Sequence, residues 1–159
     1  AIDGSPTATI LGHQGAIYSV AFSPDGKTLA STGEQWTIHL WDVQTGRERG
    51  RLDGHTAQVT DIAFSPDGRT IASSSADQTV RLWNPVTGQE RATIRSHARV
   101  NRVAYSHRGQ TLASSGSDGI VTGCGMPGPV KREELWADYS QVRRDSTSHP
   151  IQTCWSRVA

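Results

Sequence analysis

Residues 54–84, GHTAQVTDIAFSPDGRTIASSSADQTVRLWN, overlay residues 12–42, GHQGAIYSVAFSPDGKTLASTGEQWTIHLWD, at a displacement of 42 without a gap. A third copy, residues 96–121, SHARVNRVAYSHRGQTLASSGSDGIV, follows after the loss of one residue. A fixed period of this length constrains the fold more than any single residue. Each repeat is one supersecondary unit with an apolar face it cannot cover alone, so successive units must stack and share a core.

Within a period the apolar runs are short, β-branched or aromatic, and bounded by turn residues, as strands are. Ile17–Phe22, Thr28–Thr32 and Thr37–Trp41 recur as Val59–Phe64, Thr70–Ser74 and Thr79–Trp83. Thr7–Leu11, Arg49–Leu52 and Arg91–Arg95 supply a further strand at the boundary of each period. Pro24-Asp25-Gly26 and Pro66-Asp67-Gly68 have tight-turn chemistry, proline presetting φ and glycine accepting a positive φ. Thr45-Gly46 and Thr87-Gly88 serve the same purpose one hairpin later. Four strands with hairpin-length links make an antiparallel sheet. The expected core is Val59, Ile62, Phe64, Ile71, Val80 and Leu82 in the second unit, with Ile17, Val20, Phe22, Leu29, Ile38 and Leu40 as partners in the first.

Gly54-His55, Phe64-Ser65-Pro66-Asp67-Gly68, Asp77 and Leu82-Trp83 carry a resemblance to the WD-repeat family of β-propellers, over roughly Thr7 to Val121. The resemblance implies an all-β fold: a partial propeller of two complete four-stranded antiparallel blades, about 12–53 and 54–95, plus part of a third, 96–121. Propellers close with about 4–8 blades. The chain of 159 residues opens on Ala1, and Ala1–Pro6 has no apolar segment of a signal peptide. The expectation is therefore an internal fragment or a truncated product. The outer faces of its terminal blades would lack neighbours, so the isolated chain should aggregate or self-assemble through them.

At Thr122 the pattern stops, and residues 122–159 form a non-repeat tail. Gly123-Cys124-Gly125-Met126-Pro127 can be encoded GGC TGT GGG ATG CCN. Read from the third base, that becomes Leu-Trp-Asp-Ala, the missing strand end in the register required. A frameshift near codon 123 and an unrelated natural extension both stay open. In the tail only Lys131–Val142 has helical spacing, with Leu135, Trp136, Tyr139 and Val142 on one side; the remainder reads as irregular.

The family's structural tetrad maps by resemblance onto His55, Ser73, Asp77 and Trp83: indole to hydroxyl, hydroxyl to imidazole, imidazole to carboxylate. The first blade offers His13, Ser31 and Trp41, with Gln35 in the place of the aspartate. The third offers His97, Ser114 and Asp118, with Cys124 in the place of the tryptophan. A buried tryptophan and histidine need partners, so the network fixes the hairpins of a blade. A Ser/His/Asp set also suggests a hydrolase, but no oxyanion donor accompanies it. The three histidines fall one per blade, which argues against a shared metal, and no cofactor is expected.

Partner contacts in the family concentrate at three places per blade. These map onto Ala16, Tyr18 and Glu34; Gln58, Thr60 and Ala76; Arg99, Asn101 and Ser117. Trp36, in the turn where the second repeat has Gln78, is a further contact candidate. Lys plus Arg is 16 against 15 acidic residues. That balance gives no basic stripe for nucleic acid, and no apolar run approaches the about 18 residues of a membrane span. Arg47, Arg49, Arg51, Arg91 and Arg95 read as a charged edge that discourages strand association. Cys124 and Cys154 both lie outside the repeats, so neither a disulfide framework nor a thiolate metal site is indicated there. The reading is a non-catalytic scaffold fragment, cytoplasmic, that binds a protein or peptide through its top-face loops. Its alternatives are a truncated or frameshifted product without independent function and, less favoured, a propeller-type enzyme. The enzyme would need acidic or metal-binding residues on the central channel, which the repeats do not supply.

Overall fold

A computed structural model describes residues 10, 12, 13, 15–118, 121–125 and 152–153. Among the described residues twelve strands are formed: β1 Ile17–Phe22, β2 Thr28–Gly33, β3 Ile38–Asp42, β4 Glu48–Leu52, β5 Val59–Phe64, β6 Ile71–Ser75, β7 Thr79–Trp83, β8 Glu90–Arg95, β9 Val100–Tyr105, β10 Thr111–Gly116, β11 Val121–Gly125 and β12 Gln152–Thr153. There is no helix among the described residues, and hence none long and apolar enough to cross a membrane. The first two sheets run β1-β2-β3-β4 and β5-β6-β7-β8, antiparallel throughout. The expected helix at Lys131–Val142 and, apart from Ile10, the expected strand at Thr7–Leu11 lie outside the described residues.

The repeat in sequence is a repeat in hydrogen bonding. Ser23 Oγ donates to Asp25 Oδ1 at 2.6 Å and accepts the Thr28 amide at 2.9 Å. Ser65 repeats both contacts with Asp67 and Thr70, at 2.6 and 3.0 Å. Gly26 and Gly68 close these turns at φ of 69° and 68°, a conformation in which a Cβ is penalised. The third copy has neither the proline nor the aspartate, yet Thr111 N still donates to Ser106 Oγ at 3.1 Å and Gly109 takes φ 69°.

The third sheet continues further than the sequence pattern does. Strand β11 pairs antiparallel with β10, setting Cys124 opposite Leu112 as Trp83 is set opposite Ile71. The strand runs through Gly125, past the boundary expected at Val121, because backbone pairing to β10 needs no particular side chain. The place of the fourth strand is taken by β12, which lies parallel to β11, unlike β4 and β8.

The core consists of two seams between sheets. Ala30, Ile38, Leu40 and Leu52 of the first sheet pack on Val59, Ile62, Ile71 and Trp83 of the second, with Phe64 partly buried at the margin. The opposite side of the second sheet, Ala72, Val80 and Leu82, packs on Val100, Val103 and Leu112 of the third. Alternation along each strand thus serves two neighbours, as a stacked sheet requires. The expected core of the second unit is buried apart from half-buried Phe64. In the first unit Ile38 and Leu40 are buried and Leu29 half-buried, but Ile17, Val20 and Phe22 are 54%, 57% and 61% exposed. This corrects their assignment as core. They are the counterparts of Val59, Ile62 and Phe64, and among the described residues no strand covers the face they form.

Polar contacts stitch both seams at equivalent positions. Ser19 Oγ donates to Asp61 Oδ1 at 2.8 Å, and Asp61 Oδ2 in turn accepts the Val103 amide at 3.1 Å. Thr60 Oγ1 donates to the Val100 carbonyl at 2.6 Å.

Candidate functional site

In the second sheet the sequence-derived tetrad is closed. Trp83 Nε1 donates to Ser73 Oγ at 2.8 Å, Ser73 Oγ and His55 Nε2 are 2.7 Å apart, and His55 Nδ1 meets Asp77 Oδ2 at 2.7 Å. The Asp77 carboxylate also accepts the Thr56 amide at 3.1 Å, the Thr79 amide at 3.0 Å and the Thr79 hydroxyl at 2.6 Å. Burial pushes its pKa up, but bonds from Thr79, His55 and Thr56 outweigh that and hold it at about 2. Burial lowers the His55 pKa against the opposing pull of Asp77. The two directions are compatible: a neutral imidazole carries its proton on Nδ1 and donates it to an ionised carboxylate.

Ser73 is fully buried, with its oxygen occupied by an indole and an imidazole. That geometry gives the Ser/His/Asp set no route to a substrate and makes it a clamp between β6, β7 and the segment that carries His55.

The first sheet holds most of the same device. Trp41 Nε1 donates to Ser31 Oγ at 2.7 Å, and Ser31 Oγ lies 2.6 Å from His13 Nε2. Gln35 is exposed, and among the described residues His13 Nδ1, which is buried, has no hydrogen-bond partner. Burial, then the neighbouring His39, lowers the His13 pKa. Thr37 Oγ1, the counterpart of Thr79, turns to Asp53 Oδ1 at 2.8 Å.

His39 is a member of this cluster that sequence reasoning missed. Its ring is buried between His13, 4.5 Å away edge-on, and Trp41, stacked at 5.6 Å. His39 Nδ1 meets Glu48 Oε1 at 2.7 Å, and Arg51 Nε meets the same oxygen at 2.7 Å. The Arg51 bond is the main reason the Glu48 pKa falls to about 2. A signal was present in the repeat: Arg81 and Glu90 occupy the equivalent pair of positions and also bond.

In the third sheet the tetrad positions are less buried. His97 and Asp118 are exposed and Ser114 is half-buried, where His55 and Ser73 are buried. The position of the tryptophan is held by Cys124 on β11.

The nine surface candidates sit at one edge of the three sheets, at the starts of β1, β5 and β9 and in the loops after β2, β6 and β10. One backbone bond recurs in each sheet: Glu34 N to Ala16 O at 3.1 Å, Ala76 N to Gln58 O at 2.9 Å, and Ser117 N to Arg99 O at 2.9 Å. Ala16, Tyr18, Glu34, Arg99 and Ser117 are exposed; Gln58, Thr60, Ala76 and Asn101 are half-buried. Thr60 is partly committed to its seam. Trp36 stands at the same edge, 54% exposed.

Comparison with known proteins agrees with this architecture. The family model described as "WD domain, G-beta repeat" matches residues 4–42, 46–84 and 88–122, more than half of the chain. The chain belongs to the WD-repeat family. Among similar WD-repeat relatives, eukaryotic translation initiation factor 3 subunit I of Phaeosphaeria nodorum is 44% identical over 45 residues, which are 28% of this chain and 14% of that protein. The Notchless protein homolog of Arabidopsis thaliana is 54% identical over 37 residues, 23% of this chain and 8% of that one. Small ribosomal subunit protein RACK1 of Medicago sativa is 44% identical over 45 residues, again 28% and 14%. The chain thus spans well under a fifth of the length of these WD-repeat relatives.

Proposed function

We propose that this chain is part of a non-catalytic WD-repeat scaffold, and that it binds a protein or peptide with the edge carrying Ala16, Tyr18, Glu34 and their counterparts. The observation that carries this reading is the recurring backbone bond between the first and third position of each sheet, at 2.9–3.1 Å. It holds three equivalent triplets in one geometry while their side chains differ completely from sheet to sheet. A rigid frame with variable loop residues is the arrangement from which recognition surfaces are built. The relatives named as a translation initiation factor subunit and a ribosomal subunit protein support a part in an assembly, with the cytoplasm as its compartment. The exposed face of Ile17, Val20 and Phe22 is proposed as a second contact, made with another copy of the chain or another blade.

Site-specific photo-crosslinking distinguishes the edges. A photoreactive residue at Tyr18 or Asn101 should capture a discrete partner in cells, and one at Val86 or Gln110, on the opposite edge, should not. Capture from Val86 and Gln110 alone would overturn the reading.

A further inference from the structure

We propose that the loop end of the first sheet is a carboxylate-binding site, in which an acidic side chain of the partner takes the place that Asp77 fills in the second sheet. The inference rests on the loop-edge reading above and names the chemistry of its partner. It comes from comparing two copies of one device within a single chain.

In the second sheet the tetrad loop is tied down at several points. Ser75 Oγ donates to the Ala57 carbonyl at 3.2 Å and accepts the Asp77 amide at 3.0 Å, and Gln78 N donates to Ser75 O at 3.3 Å. Gln78 adopts φ 67° to make that turn. The first sheet carries three coordinated replacements: Gly33 for Ser75, Gln35 for Asp77 and Trp36 for Gln78. Glycine has no hydroxyl to hold the loop. Tryptophan does not take up the left-handed conformation, which penalises a bulky residue. The neutral amide of Gln35 lies in solvent and not on the imidazole. The bond from Glu34 N to Ala16 O anchors the loop at its base, and the segment from Gly33, beside His13 Nδ1, to Trp36 is the one that lacks the ties of the second sheet.

Beside that segment a polar chain stops short of an end. Trp41 Nε1 donates to Ser31 Oγ and Ser31 Oγ lies 2.6 Å from His13 Nε2; in the tautomer assigned to His55, Ser31 donates to Nε2 and the imidazole N–H is on Nδ1, which is buried and has no partner among the described residues. A buried donor in that state is unfavourable until an acceptor arrives. At the equivalent point Asp77 accepts both the imidazole and the Thr79 amide. A carboxylate entering from the loop edge would meet His13 Nδ1 and the Thr37 amide in the same arrangement. A charge-assisted acceptor suits the position better than an amide does. Trp36, 54% exposed at the rim, offers an apolar surface to the neighbouring residue of the partner, so the ligand is an acidic peptide with an apolar side chain beside the acid.

The test is side-chain nitrogen NMR on the full chain with labelled histidine, titrated with a blocked peptide alternating leucine and glutamate and with its glutamine counterpart. The glutamate peptide should shift His13 Nδ1 saturably, and the glutamine peptide should bind at least about tenfold more weakly. Gln35→Asp should remove the response by filling the seat from within, whereas Gln35→Asn should keep it. The Trp41 indole resonance reports that both variants retain the Trp41–Ser31–His13 chain. Equal binding of the two peptides, an undiminished response in Gln35→Asp, or an unmoved Nδ1 would overturn the site. Crosslinks at Tyr18 and Asn101 without an Nδ1 response would sink this site alone. An Nδ1 response without those crosslinks would sink the wider loop-edge reading instead.

Discussion

At the scale of the residue, the chain contains its own control experiment: one tetrad with its carboxylate and one without. Asp77→Ala should strand His55 Nδ1 and both Thr79 donors in a buried site and destabilise the chain by about 2–4 kcal/mol, measured as a fall in urea midpoint. Gln35→Asp works in the other direction and should add about 1 kcal/mol by satisfying His13 Nδ1. The pH dependence follows from the same groups. His13 and His55 have pKa values below the ordinary 6.5 in the folded chain. The unfolded chain therefore binds more protons in the window between those lowered values and 6.5. Their contribution is complete above 6.5 and is lost as pH falls through the folded values. Asp77, at about 2 against 3.8, adds a second loss on further acidification from 3.8 towards 2. The urea midpoint should accordingly drop between about pH 7.5 and pH 5, and again below about pH 4; a flat profile would contradict the burial of both imidazoles. The tetrad was legible because its four residue types recur at fixed offsets. His39 was not, since its cue is a cation–acid pairing whose identity changes from histidine–glutamate to arginine–glutamate between repeats.

At the scale of the element, turn chemistry set the strand boundaries to within a residue or so, because the turns after β1 and β5 use a serine, an aspartate and a left-handed glycine in fixed order. Gly26→Ala and Gly68→Ala should each destabilise by about 1 kcal/mol from φ alone. A Cβ would meet nothing within 4 Å at Gly26 and only an ordinary contact with Pro24 at 3.5 Å at Gly68. Similar urea midpoints for the two alanine variants, both below the parent, are the expected result. Strand β11 marks where legibility ended. Leucine and tryptophan supply the side-chain signal for a third strand, and residues 123–125 have neither, yet β10 offers a row of backbone donors and acceptors that pairs with whatever follows. The register places Cys124 at the position that Trp83 holds in the second sheet, which fits the frameshift and the natural extension equally. The coding sequence at residues 123–127 separates the two.

At the scale of the whole molecule, the second sheet presents one face to the first sheet and the other to the third. Both filled seams obey the same rule: a side chain of the leading sheet accepts an amide of the following one. Asp61 takes the Val103 amide at 3.1 Å, and Ser19 takes the Ile62 amide at 3.4 Å. The next residue in that series is Arg102, which is 74% exposed, lies 3.8 Å from Asp61 Oδ1 and, as a guanidinium, carries no acceptor atom of its own. If a second copy docks its Ile17, Val20 and Phe22 face onto the third sheet, the Val20 amide meets a cation. In such a docking the apolar contact would favour head-to-tail association, and the polar ladder would oppose it at one rung. Such a contact is heterologous, so it grows into rings or open chains according to whether the rotation closes. Phe22→Lys, placing a charge on the apolar face, should shift the chain to the 17.2 kDa monomer in sedimentation analysis. Arg102→Asp, restoring the acceptor, should strengthen association by about tenfold, the effect of one charge-assisted bond. Tighter association of Phe22→Lys, or no response to Arg102→Asp, would show that copies meet through some other surface. It would leave the two internal seams, and the edge they hold in place, as they are.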